Sequence, residues 1–458
     1  MFDGKPCGRL LTGSVHELNT YCLMHAPGGK DDAPFQKEID RILEQAGSGT
    51  ADFTKFVFPT AKFEGRRFDA WCVFSGSVFL HEAKFRDAVF QRGAFFLNTI
   101  FEKSANFWDA KFVEDVVFCS KFKQKAGFAG TKFEGDADFR FSIFNEDAIF
   151  NGTTFKRRAN FSRARFLELA EFRETKFGEE DTSTSGLVFA LTEFSKPEAI
   201  LFYKIDLRRA LFHNNDVSNL NFSSVEWRRR KGSRRRMVFE EVVDLNARDV
   251  SALRLGPDGS DRDYGLIAEL YQQLKKNYDE RKDYWTAGDF HYGEMEMRRL
   301  RAEGTNWLAR WIHRNLGFIA LYKYASEYGE SYRRPLVAIL TVLALFTLLF
   351  PLAGLERNEN PQANSAAARS SEGLVPIQEL SYRNFREFIR VRGGNRWVSS
   401  AAFFGNSLMT TMSVAGFQKE LRYEPSYPWG RALALLELLI TSALVALFLL
   451  ALRRQFKR

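Results

Sequence analysis

Cysteine and proline are scarce in this chain, with four Cys and twelve Pro among 458 residues. So few cysteines exclude a disulfide-built scaffold. So little proline and no long charge block, beside 15% aromatic residues, exclude a collagen-like, coiled-coil or mainly disordered chain. Leucine is absent from a long stretch: residues 101–150 contain eleven Phe and no Leu. No Walker loop, His-Glu-x-x-His, nucleophile elbow or Gly-rich dinucleotide turn occurs, so no enzyme is expected. No apolar stretch follows a basic start, so the expectation is no secretory signal and an N-terminal part kept in a reducing cytosol. What is present is room for two or three domains, and 66 Lys+Arg against 57 Asp+Glu, a formal charge of +9.

The phenylalanines are regular. Phe53, Phe58, Phe63 and Phe68 lie five apart, and Phe133, Phe139, Phe144, Phe150, Phe155, Phe161, Phe166, Phe172 and Phe177 alternate steps of six and five. Two residues before each of the latter stands Thr131, Ala137, Ser142, Ala148, Thr153, Ala159, Ala164, Ala170 or Thr175. A period of five suits neither a helix nor a half-buried strand. A four-sided coil with five or six residues per side would turn every Phe inward, the small residue beside it, and stack successive coils as parallel strands. Burying each Phe is worth roughly 1.5–3 kcal/mol, so these residues read as core and not as a ligand box.

The pattern resembles the pentapeptide-repeat family, which implies a mainly β N-terminal domain, a right-handed quadrilateral β-helix. The resemblance covers 53–177 and resumes with Phe202, Leu207, Phe212, Val217, Phe222 and Trp227 at steps of five. The extra residue in alternate units reads as bulged corners, with about 22 residues per coil, and 178–186 reads as a loop. Some members of the family imitate DNA with a negative surface. Here 53–177 carries 21 Lys+Arg against 16 Asp+Glu, so DNA mimicry is not expected.

Around the coil the expected domains are a small N-terminal segment, 1–50, the coil, 51–227, a basic linker, 228–263, a helical region, 264–334, and a transmembrane domain, 335–458. Cys7, His16, Cys22 and His25 form a possible zinc set at the N-terminus, since zinc takes four such ligands; the alternative is ordinary side chains of a small domain. Cys72 and Cys119 fall within the coil and read as buried bystanders. Arg228, Arg229, Arg230, Lys231, Arg234, Arg235 and Arg236 place seven cations in nine residues. They suit a solvated linker or contact with anionic lipid, each cation near such a surface adding about 1 kcal/mol. Nucleic acid is not expected, because no aromatics are interleaved for base stacking.

Residues 264–303 read as a helical hairpin. The spacing of Tyr271, Leu274, Tyr278 and Ala287 is similar to one tetratricopeptide repeat, which alone cannot bury both faces and must pack on the coil, the next helix or another subunit. Trp307, Trp311, Phe318 and Tyr322 alternate with Arg310, His313, Arg314 and Lys323, which fits an amphipathic helix at a membrane interface or an ordinary core helix.

Two runs are long enough to cross a bilayer: Leu336 to Leu355, without a charge, and Ala432 to Leu452, whose one ionisable group is Glu437. Arg333 and Arg334 before the first, with Arg453, Arg454, Lys457 and Arg458 after the second, place both ends in the cytoplasm by the positive-inside rule, as expected of an inner-membrane protein. Between the spans, 397–420 is apolar but short. A span, a short re-entrant segment rich in small and hydroxyl residues, and a second span is the layout of a two-transmembrane pore module. The segment looks like a potassium-channel pore loop, in which hydroxyl residues on a pore helix precede a Thr-Val-Gly-Tyr-Gly filter. The resemblance implies filter candidates Ser407, Thr410, Thr411, Ser413, Val414, Ala415, Gly416 and Phe417. Ala415 replaces the first Gly of the filter and Gly416-Phe417 replaces Tyr-Gly, which puts potassium selectivity in doubt. The alternative is an interfacial helix within an anchoring hairpin.

The expectation is therefore an α-helical transmembrane domain with a re-entrant pore loop, forming a homo-oligomeric cation channel. The channel resemblance implies a tetramer, with the coil as sensor or gating domain. A carboxylate inside a span is costly, so Glu437 is expected to line the pore or to hydrogen-bond the pore helix near Ser407 or Thr410; the alternative is a snorkelling surface residue. The competing expectation is a non-conducting, membrane-tethered scaffold whose coil binds a protein partner.

Overall fold

A phenylalanine every fifth or sixth residue can be buried only if the chain turns a corner between one Phe and the next, and the backbone does so. The structure, a computed structural model, describes residues 22–26, 32–178, 186–242, 262–301, 306–353, 355–357, 396–416, 423–425 and 428–457. Strands one coil apart pair in parallel at steps of 21 or 22 residues: Phe58 opposite Phe79, Phe79 opposite Phe101, Phe101 opposite Phe122. Four parallel sheets of eight, seven, eight and six strands form the sides of a solenoid. Their first strands are Thr50–Asp52, Val57–Phe58, Ala61–Lys62 and Arg67–Phe68.

Inside, the rings form ladders. Phe122 stacks on Phe101 at 4.8 Å and 2° and on Phe144 at 4.9 Å and 1°, and meets Phe128 of the next side edge-on, at 6.0 Å and 82°. Both arrangements are the preferred ones for ring quadrupoles. The position two before Phe is small because it too is buried. Where it is threonine, the hydroxyl donates to a carbonyl one coil below: Thr131 to Phe107 O, 2.7 Å, Thr153 to Phe128 O, 2.7 Å, and Thr175 to Phe150 O, 2.9 Å. A buried hydroxyl needs such a partner.

Corners alternate in kind, which explains the alternating repeat length. Corners between the first and second sides, and between the third and fourth, hold a left-handed residue such as Asn98, Asp87, Asp109, Gly130 or Gly152. Five residues separate Phe85 from Phe90 across such a corner, whereas six separate Phe90 from Phe96 across the other kind. Gly, Asn and Asp suit left-handed backbone best. Phe141, at φ 58°, is an unfavourable occupant.

The coil also continues where the sequence reading paused. Phe189 stacks on Phe161 at 5.2 Å and Phe194 on Phe166 at 5.8 Å. Ala159 pairs with Leu187, so the inserted segment lengthens one coil and shifts the phase of the Phe spacing without ending the stack.

Both ends of the coil are covered, as open sheet edges require. Helix α1, Asp32–Ala46, lays Phe35, Ile39 and Ile42 over the first coil, with Phe35 edge-on to Phe58 at 5.4 Å. At the other end a hairpin of α2, Tyr264–Glu280, and α3, Tyr284–Leu300, each N-capped by an Asp side chain, packs on the last coil. Asn277 Nδ2 donates to the carbonyls of Val217, Ser218 and Leu220 at 3.0, 2.8 and 2.7 Å. Arg281 reaches Leu220 O and Phe222 O, and Tyr278 stacks on Phe222 while accepting a 2.8 Å bond from Trp227 Nε1. Of the three partners open to the hairpin, the coil is the one it packs on.

The chain divides into two compact units, Met1–Glu303 and Gly304–Arg458. The second comprises α4, Trp307–Leu316, α5, Phe318–Ser326, α6, Arg333–Ala353, α7, Arg396–Ala415, and α8, Pro428–Lys457. Within α6 and α8, Arg333–Leu352 and Pro428–Phe456 are long and apolar enough to cross a membrane; only 22% and 11% of their most apolar windows are buried, unlike the core helices of a water-soluble fold. Leu355–Arg357 pairs antiparallel with Tyr423–Pro425 beyond one end of α6. Where a re-entrant loop was expected, α7 is one continuous helix that carries Ser413, Val414 and Ala415.

Candidate functional site

In the helical unit α7 packs on α6 and α8, and the contact is apolar at its base: Phe346, Phe350 and Val414 are buried, with Leu433 and Leu438 against them. Polar side chains are set into this apolar surround. Ser407, Thr410, Thr411, Glu437 and Thr441 are each 3% exposed or less. Most hydroxyls are satisfied within the helices. Ser407 Oγ donates to Thr347 O at 2.5 Å, crossing from α7 to α6, and Thr347 Oγ1 lies 3.4 Å from Thr411 Oγ1. Thr410 and Thr441 bond back to Asn406 O and Glu437 O, four residues earlier, at 3.0 and 2.8 Å.

Glu437 is the exception. It is fully buried, and neither carboxyl oxygen has a hydrogen-bond partner. Ser407 and Thr410, the two pore-helix hydroxyls considered from sequence as its partners, are engaged elsewhere. Thr347 and Thr441 were not singled out from sequence; a hydroxyl residue inside an apolar span was the available signal.

Of the filter candidates, Ser407, Thr410 and Thr411 face the helix contacts, as does Val414, which with Ser413 and Ala415 forms the last turn of α7; Gly416 follows, its N–H bonded to Met412 O at 2.9 Å. Helical carbonyls at 413–415 point along the helix axis, in a geometry different from the extended filter of a potassium channel. Phe417 lies outside the described residues.

At the ends of the span pair, Arg454 of α8 donates to Tyr328 O at 2.8 Å and to Glu330 at 3.2 Å, just before α6 begins. The start of α6 and the finish of α8 therefore lie together. Helix α4 buries no residue and leaves Trp307, Leu308, Trp311, Ile312 and Leu316 exposed.

The seven cations after the coil are less available than the sequence suggested. Arg228–Arg229 pairs antiparallel with Arg236–Met237, and the segment through Glu241 folds onto the hairpin. Arg230 pairs with buried Glu241 at 2.6 Å, Arg236 with Asp289 at 3.1 Å, and the Arg235 guanidinium lies 4.5 Å from the Tyr292 ring centre. Glu241 also accepts from Tyr271, and its burial pushes its carboxyl up despite the Arg230 charge. Arg229, Lys231 and Arg234 remain exposed. No sequence signal near the run foretold its partners, which come from 241 and 289.

At the N-terminus Cys22 Sγ and His25 Nδ1 lie 2.9 Å apart, while Cys7 and His16 fall outside the described residues. Among the described residues no three potential metal ligands cluster. Burial pushes the Cys72 thiol up to about 12 and the Cys119 thiol up to about 11, so both stay protonated and unreactive.

Residues 74–118 and 121–190 match the profile of pentapeptide repeats, in nine copies. No curated protein and no solved structure matches the chain.

Proposed function

We propose, from a pentapeptide-repeat coil followed by two helices able to cross a bilayer, that this chain assembles into a membrane cation channel with the coil as its cytoplasmic sensor or gating domain. Glu437 carries the reading. A carboxyl at that depth in a span costs about 2.5 kcal/mol on insertion scales and by default marks an ion path or an interior partner. Among the described residues of one chain there is no hydrogen-bond partner for either oxygen. A ring of copies, four by the channel resemblance, would give the carboxylates a shared cation to bind, with α7 and its hydroxyls as the wall of the path.

Several observations support the membrane setting. The bond from Arg454 to Glu330 fits a span pair with both ends on one face, and the flanking cations favour the cytoplasmic face of the inner membrane. The apolar side of α4 suits a bilayer interface. Arg229, Lys231 and Arg234 are the cations still free to meet anionic lipid. Zinc on Cys7, His16, Cys22 and His25 belongs to the same proposal, with Cys22 and His25 already adjacent.

A second reading, a non-conducting scaffold, is favoured by one feature: the coil exposes Trp108, Leu97 and Phe141 on its outside, apolar groups a protein partner could cover. Current recordings from the purified protein in planar bilayers separate the two. The channel predicts cation-selective currents, reduced by Glu437→Gln while mass photometry still finds the oligomer. Silent bilayers containing intact oligomer, or a monomer in detergent, would leave the scaffold.

A further inference from the structure

Between the last coil and α2 lies a cavity of about 250 Å³, small beside the roughly 300–1,000 Å³ of pockets for drug-sized ligands. Its polar lining is His213, Asn214, Asn215 and Asp216 from the coil, Glu240 from the turn after it, and Glu269 and Gln273 from α2. Asp216 and Glu269 are exposed at the rim, and Glu240 lies deep, 2% exposed. One Glu240 oxygen accepts the Phe212 N–H at 2.6 Å; the other, Oε2, is buried without a hydrogen-bond partner.

No lysine or arginine lines this cavity. A buried carboxylate requires a cation or several donors, and here the donors are the backbone N–H groups of Phe212 and of Glu240 itself, which leave Oε2 unpaired. Among the described residues no three metal ligands converge, so the geometry disfavours a coordinated metal ion. A ligand with its own N–H donors and a positive charge answers both deficits, and the two rim carboxylates extend the negative field outward.

We propose that this cavity binds a small aliphatic ammonium or diammonium ion, its inner nitrogen donating to Glu240 Oε2 and its outer end held by Asp216 and Glu269. The site stands on the first unit alone and does not depend on whether the helical unit conducts. Because α2 forms one wall and Asn277 and Tyr278 of the same helix grip the last coil, an occupied cavity would tighten the cap.

The groups facing Glu240 also set its pH response. Burial pushes its carboxyl up to about 7, the Phe212 N–H opposing and neighbouring Glu241 adding to the rise. His213 and Asp216 face it from the coil and Glu269 from α2, while Glu241 is held by Arg230. An ammonium ion favours the ionised carboxylate, so binding should strengthen as pH rises through about 7, and below that should expel a proton.

Calorimetric titration of the full-length protein in detergent with 1,4-diaminobutane, and with 1,4-butanediol as the uncharged analogue, tests the site. Saturable binding of the diamine alone is expected, weakened at least about tenfold by Glu240→Gln, which replaces the charge-assisted carboxylate acceptor by a neutral amide, and a few-fold by Glu269→Gln at the exposed rim. Absence of diamine binding, equal binding by the diol, or full affinity in folded Glu240→Gln would each overturn the proposal and leave a water-filled void.

Discussion

The coil and the helical unit treat buried polar groups differently. In the coil, Thr99, Thr131, Thr153, Thr175 and Thr192 each donate a hydroxyl to a phenylalanine carbonyl one turn away. Stacking copies of one unit places the same donor above the same acceptor repeatedly, so one workable pair serves each of these threonines. Among α6, α7 and α8 no repeat exists to supply a partner, and Glu437 has none among the described residues. The coil thus satisfies its buried threonines by repetition, with Ser77 Oγ an unpaired exception, whereas the carboxyl of Glu437 has no repeated partner to draw on.

Removing one rung should show how strongly the coil depends on its repetition. Phe122→Ala forfeits stacking on both sides and opens a cavity among Phe101, Phe144 and Phe128. We expect about 3–5 kcal/mol of destabilisation, read as an earlier unfolding transition of the coil in urea. A loss under about 1 kcal/mol would mean that neighbouring coils collapse into the gap and the ladder is not the principal support.

The helical unit should respond with the opposite sign. Glu437→Leu replaces an unpartnered buried carboxyl by an apolar side chain of similar size, and should raise resistance to unfolding in sodium dodecyl sulfate by about 2.5 kcal/mol. A loss of stability on this change would show that the carboxyl is structurally paired and would erase the contrast between the two units.

The smallest effect tests the coil's own solution. Thr153→Ala removes the 2.7 Å bond to Phe128 O, while alanine already fills the equivalent position at 148 and 159. About 1 kcal/mol of destabilisation is expected by urea unfolding. No change would mean the hydroxyls are tolerated rather than used.

Much of the coil was legible because inward-facing Phe, small residue and corner repeat on a fixed local schedule, so spacing alone reports the geometry. Phe189 and Phe194 escaped because the insertion before 187 shifts that schedule, although Thr192 two before Phe194 still fits the small-then-Phe rule. The basic run reads as solvated or lipid-facing because only the fold returns its partners to it: Glu241 from the turn just after the run, and Asp289 from the hairpin. Glu437 was visible as a charge inside an apolar run. Its isolation from Ser407 and Thr410 was not, since that depends on how the three helices rotate against one another.

Sequence alone determined the stacked coil, its length per turn and the two runs able to span a bilayer, because each follows from the order of side chains within a few residues of one another. Only the tertiary structure decided how the coil is closed, which cations are neutralised, and where Glu240 Oε2 and the Glu437 carboxyl are buried without hydrogen-bond partners among the described residues. Those outcomes depend on side chains brought together from distant segments, as when Asn277 finds the carbonyls of Val217 and Leu220. No local pattern encodes such a meeting; the packing of whole elements does.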